Sequence, residues 1–204
     1  MSDSLIAVMD QRPSVEVPTR SPLYLRGDAN GHGLSIRENA LAAQLVIRGK
    51  ANDPSFAQGV QTATGLALPG TLHSNANDDW RLRWLTPDEW LLTGPADAAF
   101  SMEAKLREQL SGHYAVINVS GGQTLLQLSG ANAKTVLMKS CPYDVHDRNF
   151  PVGKVVSTVF AKSQATLCRL GDDTWELVIR RSFADYIWRW LLDAGAEFGL
   201  SEQA

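Results

Sequence analysis

From residue 34 to residue 194, short apolar runs alternate with longer amphipathic stretches. The runs at 34–38, 42–48, 114–119, 123–129, 154–161, 164–170 and 174–180 are rich in branched and aromatic side chains and predict strands. Residues 80–85 and 89–93 predict a hairpin that turns at Thr86-Pro87-Asp88. Asp53-Pro54 predicts a helix start, with Asp as cap and Pro at the first helical position, and Gly65 stops that helix after Thr64. Residues 97–111 predict a second helix with Phe100, Leu106 and Leu110 on one face and Gly112 as its stop. A third covers 131–139 and ends before Cys141-Pro142. Ser182 is placed to cap a last helix that reaches about Ala194.

The pattern repeats at an offset of 85 residues. Leu85 matches Leu170, Asp88 matches Asp173, Trp90 matches Trp175 and Leu92 matches Leu177. The helix start at 97–98 falls on 182–183. Each half then reads as strand, acidic turn, tryptophan-bearing strand and helix. This predicts an α+β fold of two similar modules, 34–112 and 113–204, preceded by an N-terminal arm, 1–33. The arm carries Pro13, Pro18 and Pro22 but also Leu5, Ile6, Val8, Val15, Val17, Leu23, Tyr24 and Leu25. That is too apolar for a simple solvated tail, and an extended arm packed on something is expected.

The last helix has only Asp185, Arg189 and Asp193 as charged positions, spaced four apart in one narrow stripe. Its other residues are almost all apolar. Such a helix needs either an enclosing core, for instance Trp188 and Leu192 lying under the arm, or a second protein surface. An interface formed by Trp188, Leu192, Trp190, Phe183 and Arg181 is the expectation carried forward.

Candidate chemistry is sparse. His32, His73, His113 and His146 have no metal-pair spacing, and a local hydrogen bond or solvent exposure is expected for each. The segment from Cys141 to Asp147 holds a thiol, a histidine and two carboxylates. However, Cys141 sits at a helix end, where the dipole does not lower a thiol pKa, and a structured loop is the better reading. Gly121-Gly122 between apolar runs suggests a hairpin turn rather than a phosphate loop. Ser129 is a candidate cap for the helix after it. Asp88 and Glu89 are adjacent in a turn and do not form a catalytic carboxylate pair. Arg180-Arg181 could hold an anion near the helix start or pair with a partner.

Composition narrows the classes further. The chain has 204 residues and a formal net charge of −3, with no basic stripe, so nucleic acid is not an expected partner. Two cysteines, Cys141 and Cys168, make no disulfide scaffold. No apolar run approaches the roughly 20 residues of a membrane span. The first residues lack the basic and apolar regions of a secretion signal. A cytoplasmic location follows as the expectation. Six tryptophans are more than one small core of this size would hold, which suggests a second buried surface.

An ordered set of segments then carries a family resemblance. Asn118-Val119-Ser120, Gln127-Leu128-Ser129-Gly130, Lys139-Ser140-Cys141-Pro142-Tyr143-Asp144-Val145-His146 and Phe150-Pro151-Val152-Gly153 resemble the sarcosine oxidase γ subunit family. So do Pro87-Asp88-Glu89-Trp90-Leu91-Leu92, Arg181-Ser182-Phe183-Ala184, Trp188-Arg189-Trp190-Leu191 and Glu197-Phe198. The resemblance covers about residues 34–198, most sharply 118–198. It implies a fold similar to the folate-binding aminomethyltransferase-like domains.

The resemblance also implies an αβγδ complex that oxidises sarcosine with O2. The products would be glycine, H2O2 and formaldehyde or, with tetrahydrofolate, 5,10-methylenetetrahydrofolate. In such a complex the β subunit carries covalent FMN and non-covalent FAD, the α subunit binds NAD and folate, and the δ subunit binds zinc. No catalytic, cofactor or metal residue is carried over to this chain, which has neither a dinucleotide fingerprint nor a zinc set. The competing expectation is an independent folate-dependent one-carbon transferase or tRNA-modification protein of the same fold. It would need a carboxylate placed in a pterin pocket and, for tRNA, a basic surface.

Overall fold

The structure is a computed structural model and describes residues 19–203. The first 18 residues of the expected arm lie outside the described part. Twelve strands and four α-helices follow in chain order. They are β1 (Ala29–Gly31), β2 (Leu34–Asn39), β3 (Ala43–Arg48), α1 (Pro54–Thr64), β4 (Ser74–Ala76), β5 (Arg81–Thr86), β6 (Glu89–Gly94), α2 (Ala99–Gln109), β7 (Ala115–Asn118), β8 (Gln123–Ser129), α3 (Ala133–Ser140), β9 (Val155–Phe160), β10 (Ser163–Gly171), β11 (Thr174–Arg180), α4 (Ala184–Ala194) and β12 (Ser201–Glu202).

Local chemistry explains most boundaries. Asp53 caps α1, its Oδ1 accepting from the backbone N–H of Ser55 at 2.9 Å and Phe56 at 3.4 Å. Gly65 closes the helix with φ +74°, a left-handed conformation that costs glycine little. Ser129 and Ser182 are not caps. Asn132 and Phe183 occupy those positions, with no side-chain cap bond. A single 3-10 turn, Arg181–Phe183, precedes α4, and another, Ala96–Ala98, precedes α2. These turns delay each helix start past the nearby polar residue.

The strands form two sheets. One has five strands in the order β4-β5-β6-β3-β7, the other seven in the order β12-β1-β2-β8-β11-β10-β9. Helices α1 and α2 cover the outer face of the smaller sheet, with Phe56, Val60, Met102 and Leu106 packed on Leu45, Ile47, Leu82 and Trp90. Helices α3 and α4 cover the larger sheet, with Val136, Leu137, Ile187 and Leu191 on Ile36, Leu128, Leu167 and Trp175. The inner faces meet through a third cluster of Ala42, Leu91, Leu125 and Val178. The result is four layers: helix, sheet, sheet, helix.

The 85-residue repeat is carried by this architecture. The 3-10 turns at 96–98 and 181–183, and the helices at 99–109 and 184–194, are each in register at that offset. The sheets, however, do not divide at residue 112. Strand β2 pairs with β8, Ile36 opposite Leu128, and β7 pairs with β3, Val116 opposite Ile47. Each half lends one strand to the other. The turn at Gly121-Gly122, expected to close a hairpin, therefore links two different sheets. Gly121 has φ +81°, and the Gly122 N–H donates to the Val119 carbonyl at 3.0 Å.

Two further differences concern side chains. Phe100 is 70% exposed, and the buried face of α2 is Ala99, Met102 and Leu106. The six tryptophans are divided between the two outer cores. Trp80, Trp90, Trp175 and Trp188 are buried, while Trp84 and Trp190 are half-buried.

Candidate functional site

The segment with the most catalytic-looking residues, 141–154, is a structural loop. Cys141 ends α3, and burial pushes its thiol pKa up. Its Sγ lies 3.8 Å from the Tyr143 carbonyl. The Asp144 side chain accepts from the His146 backbone N–H at 3.0 Å, and the His146 Nδ1 accepts from the Arg148 N–H at 3.3 Å. Asp147 receives Lys134 at 2.7 Å and Arg169 at 2.9 Å, and the Lys134 hydrogen bond holds its carboxyl below the ordinary range. Arg169 is buried and also donates to the Phe150 carbonyl at 2.8 Å. These polar groups are occupied in fixing the path of the chain.

The turn at 86–88 is built the same way. Arg48 bonds Asp88 at 2.9 Å and lies 3.4 Å from Glu89. That hydrogen bond, with a second from Thr86, holds the Asp88 carboxyl low. His73 Nδ1 is 2.7 Å from the Thr71 carbonyl, a local contact of the kind expected. Among the described residues, no three His, Cys, Asp or Glu side chains converge as a metal site. No helix among them is long and apolar enough to cross a membrane.

Two hollows open on the inner sheet faces. One, of about 310 Å³, lies beside the layer contact and is lined by Asn39, Asp78, Trp80, Arg81, Arg83 and Glu176, among others. The other, of about 370 Å³, lies on β8 to β11 of the larger sheet. Its walls include Gln123, Ser157, Val159, Gln164, Thr166 and Arg180. Both are shallow and largely polar, unlike the enclosed, mostly apolar pockets that small ligands favour.

The expected interface residues are separated by the fold. Trp188 is 1% exposed, lies in the core of the larger sheet, and donates its indole N–H to Glu202 at 2.6 Å. The ring belongs to the core cluster that includes Leu23, Leu34 and Leu200, and β12, paired to β1, brings Glu202 to its indole nitrogen. Trp190 and Leu192 are half-buried against the same core, Trp190 donating to the Ser140 Oγ at 3.1 Å. Phe183 and Arg181 are exposed. Beside them lie residues that the sequence pattern did not single out as surface. Tyr24 and Leu25 are exposed, Tyr186 is partly so, and Arg20 and Arg26 sit among them. The apolar character of Tyr24 and Leu25 was visible in the arm, but nothing local showed which side they would face.

Comparison with known proteins decides the family. The model of the sarcosine oxidase gamma subunit family matches residues 48–197. The chain belongs to this family. It is 33% identical over 207 residues to the sarcosine oxidase subunit gamma of Corynebacterium sp. (strain U-96), covering 100% of this chain and 99% of that one. The Arthrobacter sarcosine oxidase subunit gamma is 33% identical over 187 residues, covering 88% and 91%.

Among solved structures, a chain of the heterotetrameric sarcosine oxidase from Corynebacterium sp. U-96, in complex with pyrrole 2-carboxylate, superposes with a TM-score of 0.80. It is 31% identical, covering 91% of this chain and 99% of that chain. The glycine cleavage system aminomethyltransferase T from Bartonella henselae has a TM-score of 0.60 at 17% identity, covering 79% of this chain and 46% of that one. This last likeness concerns the fold alone. The gamma subunit family thus has the two-sheet α+β fold shared with the aminomethyltransferase, as the segment resemblances implied.

Proposed function

We propose that this chain is the structural γ subunit of a heterotetrameric sarcosine oxidase and contributes no catalytic residue to it. The observation that carries the reading is the family match over essentially the whole chain, together with the 31% identical solved subunit of such an enzyme. The local structure supports it. Cys141 is buried with a raised pKa, Asp147 and Asp88 are held by cations, and His146 is engaged in its own loop.

In this reading the partners are the α, β and δ subunits, and they hold the FAD, covalent FMN, NAD, tetrahydrofolate and zinc. The complex oxidises sarcosine with O2 to glycine and H2O2; the methyl carbon leaves as formaldehyde with water consumed, or as 5,10-methylenetetrahydrofolate when tetrahydrofolate takes it up in place of water. This chain supplies packing surface, and the compartment is the cytoplasm.

The test is native mass spectrometry of the tagged chain purified from its own host. A flavin-containing assembly with three further subunits that turns over sarcosine is the expected result. A lone 22.3 kDa species that retains a folate would overturn the reading and favour an independent folate-binding enzyme.

A further inference from the structure

The hollow on β8 to β11 is framed by one face of four neighbouring strands. Gln123 on β8 pairs with Arg180 on β11, and Val178 on β11 with Thr166 on β10. Thr166 in turn pairs with Ser157 on β9, and Gln164 with Val159. These side chains line a trough of about 370 Å³. Val159 is 48% exposed in it, and Ser157, Gln164 and Arg180 are exposed as well. Hydroxyls and amides along an open trough suit an extended backbone, whose N–H and C=O groups need partners at every residue.

The described chain starts at one end of this trough. Arg181 donates through its guanidinium to the Arg20 carbonyl at 2.9 Å, and through its backbone N–H to the Gly122 carbonyl at 3.0 Å. Residue 20 therefore lies beside the ends of β8 and β11 that carry Gln123 and Arg180. Strands lie about 4.8 Å apart, so the trough is roughly 10 Å across from β11 to β9. The six residues that precede Arg20 span up to about 20 Å when extended. They read Ser14-Val15-Glu16-Val17-Pro18-Thr19 and follow Pro13. In extended form the alternation puts both valines on one side and the carboxylate on the other. Prolines at both ends keep such a run out of a sheet interior.

The charges match. Among the described residues Arg180 is the one charged side chain lining the trough, and it forms no ion pair. Lys162, in the turn joining β9 and β10, adds a second positive charge nearby. Glu38 belongs to the helix-covered face, opposite Leu126, and accepts there from Ser21 and Thr124. Residues 1–18 carry Asp3, Asp10 and Glu16 against Arg12, three acids to one base, a net side-chain charge of −2.

We propose that residues 14–17 of this chain occupy the trough, with Val15 and Val17 against Val159 and Thr166 and with Glu16 on Arg180. The segment is joined to the rim through Pro18 and Thr19, so its local concentration is on the order of millimolar and modest contacts hold it. The contact lies within one chain and stands apart from the subunit reading. It gives the apolar arm and the unpaired Arg180 one shared role, and it closes this face of the larger sheet to other proteins.

The test uses the full chain as purified from its own host. Val15→Cys/Val159→Cys is treated with a short bifunctional maleimide, and the products are read by peptide mass spectrometry. Cys141 and Cys168 are buried and give the same background in every variant. A crosslink within one chain should form, and Arg180→Glu should slow it about fivefold. Adding Glu16→Arg to Arg180→Glu rebuilds the pair and should restore the rate, and Arg180→Lys should stay near wild type. Should Arg180→Glu not fold, Glu16→Lys tests the same pair from the other side. Val15→Cys/Met138→Cys, with Met138 exposed on α3 across the sheet, should crosslink far more slowly. An equal rate for that pair, no crosslink at position 159, or a rate that these charge reversals leave unchanged would overturn the proposal. So would a crosslink between two copies, which puts a second chain in the trough.

Discussion

Arg83 on β5 and Glu176 on β11 form an ion pair in the layer between the two sheets, with both side chains buried. A second Arg83 donor reaches the Thr93 hydroxyl at 2.6 Å, and its Nε has no partner among the described residues. Removing charges from water here costs free energy that only mutual pairing offsets. Arg83→Ala or Glu176→Ala should therefore destabilise the fold by about 3–5 kcal/mol, because each strands a buried charge. Replacing both with apolar residues of similar volume, Arg83→Met with Glu176→Leu, should recover most of that loss. Urea denaturation of the three variants checks this. A double variant no better than the singles would show that the polar link itself positions the sheets.

Trp188 makes a contrasting case. Its ring is enclosed by α4, β12 and the core of the larger sheet, so Trp188→Ala should cost about 3–5 kcal/mol of folding stability. Leu192, half-buried, should cost less on truncation to alanine. The circular dichroism melt should thus fall for Trp188→Ala before any assembly defect is measured. An unshifted melt with lost assembly would return Trp188 to an interface role.

Burial raises the Cys141 thiol pKa, which leaves little thiolate at neutral pH. Native protein should react slowly with an aromatic disulfide reagent at Cys141 and rapidly once unfolded. Cys141→Ser should leave sarcosine turnover by the complex unchanged. A large fall in turnover with normal assembly would mean that the thiol takes part in chemistry.

Asp147 links two parts of the chain by bonding Lys134 on α3 and Arg169 on β10. Its carboxyl is held low in the folded state, so the unfolded chain takes up a proton there first as the solution is acidified. The contribution is complete above the ordinary carboxylate pKa of about 3.9 and is lost as pH falls through the lower folded value. Asp147→Asn should therefore lower the urea midpoint at pH 7 and have no effect once wild-type Asp147 is itself protonated. The difference should be small and shrink with salt, because the carboxylate is exposed. A carboxyl NMR titration should show Asp147 moving up toward the ordinary value in Lys134→Ala.

The elements governed by neighbours in sequence were legible. The Asp53 cap, the Gly65 stop, the hairpin at 86–88 and the tryptophan repeat at Trp90 and Trp175 all depend on local chemistry. What distant residues decide was not. Strands β2 and β7 have patterns that suit either sheet, and only the fold shows that each pairs across the repeat. The three-residue β1 and two-residue β12 are too short to carry an alternation signal. Phe100 belongs outside because α1 meets α2 through Gly59, where any Cβ would press on the Gln109 carbonyl at 2.6 Å, and that approach sets which face turns inward. The sticky character of the last helix was readable, but its division into a core ridge and an exposed edge was not. That division depends on residues 20–26 and 201–202 folding back upon it.

The exchange of β2 and β7 also bears on how the chain emerges from a ribosome. Strand β2 leaves the exit tunnel early, yet its partner β8 begins only at Gln123, the best part of a hundred residues later. The smaller sheet has its last strand by Asn118, so it can close around β3 while β2 still waits. During that interval β2, with Leu34 and Ile36 on its apolar side, has only the three-residue β1 to pair with. Ribosome pausing near the middle of the message would lengthen the wait, and a nascent chain halted there is the form most open to capture by chaperones.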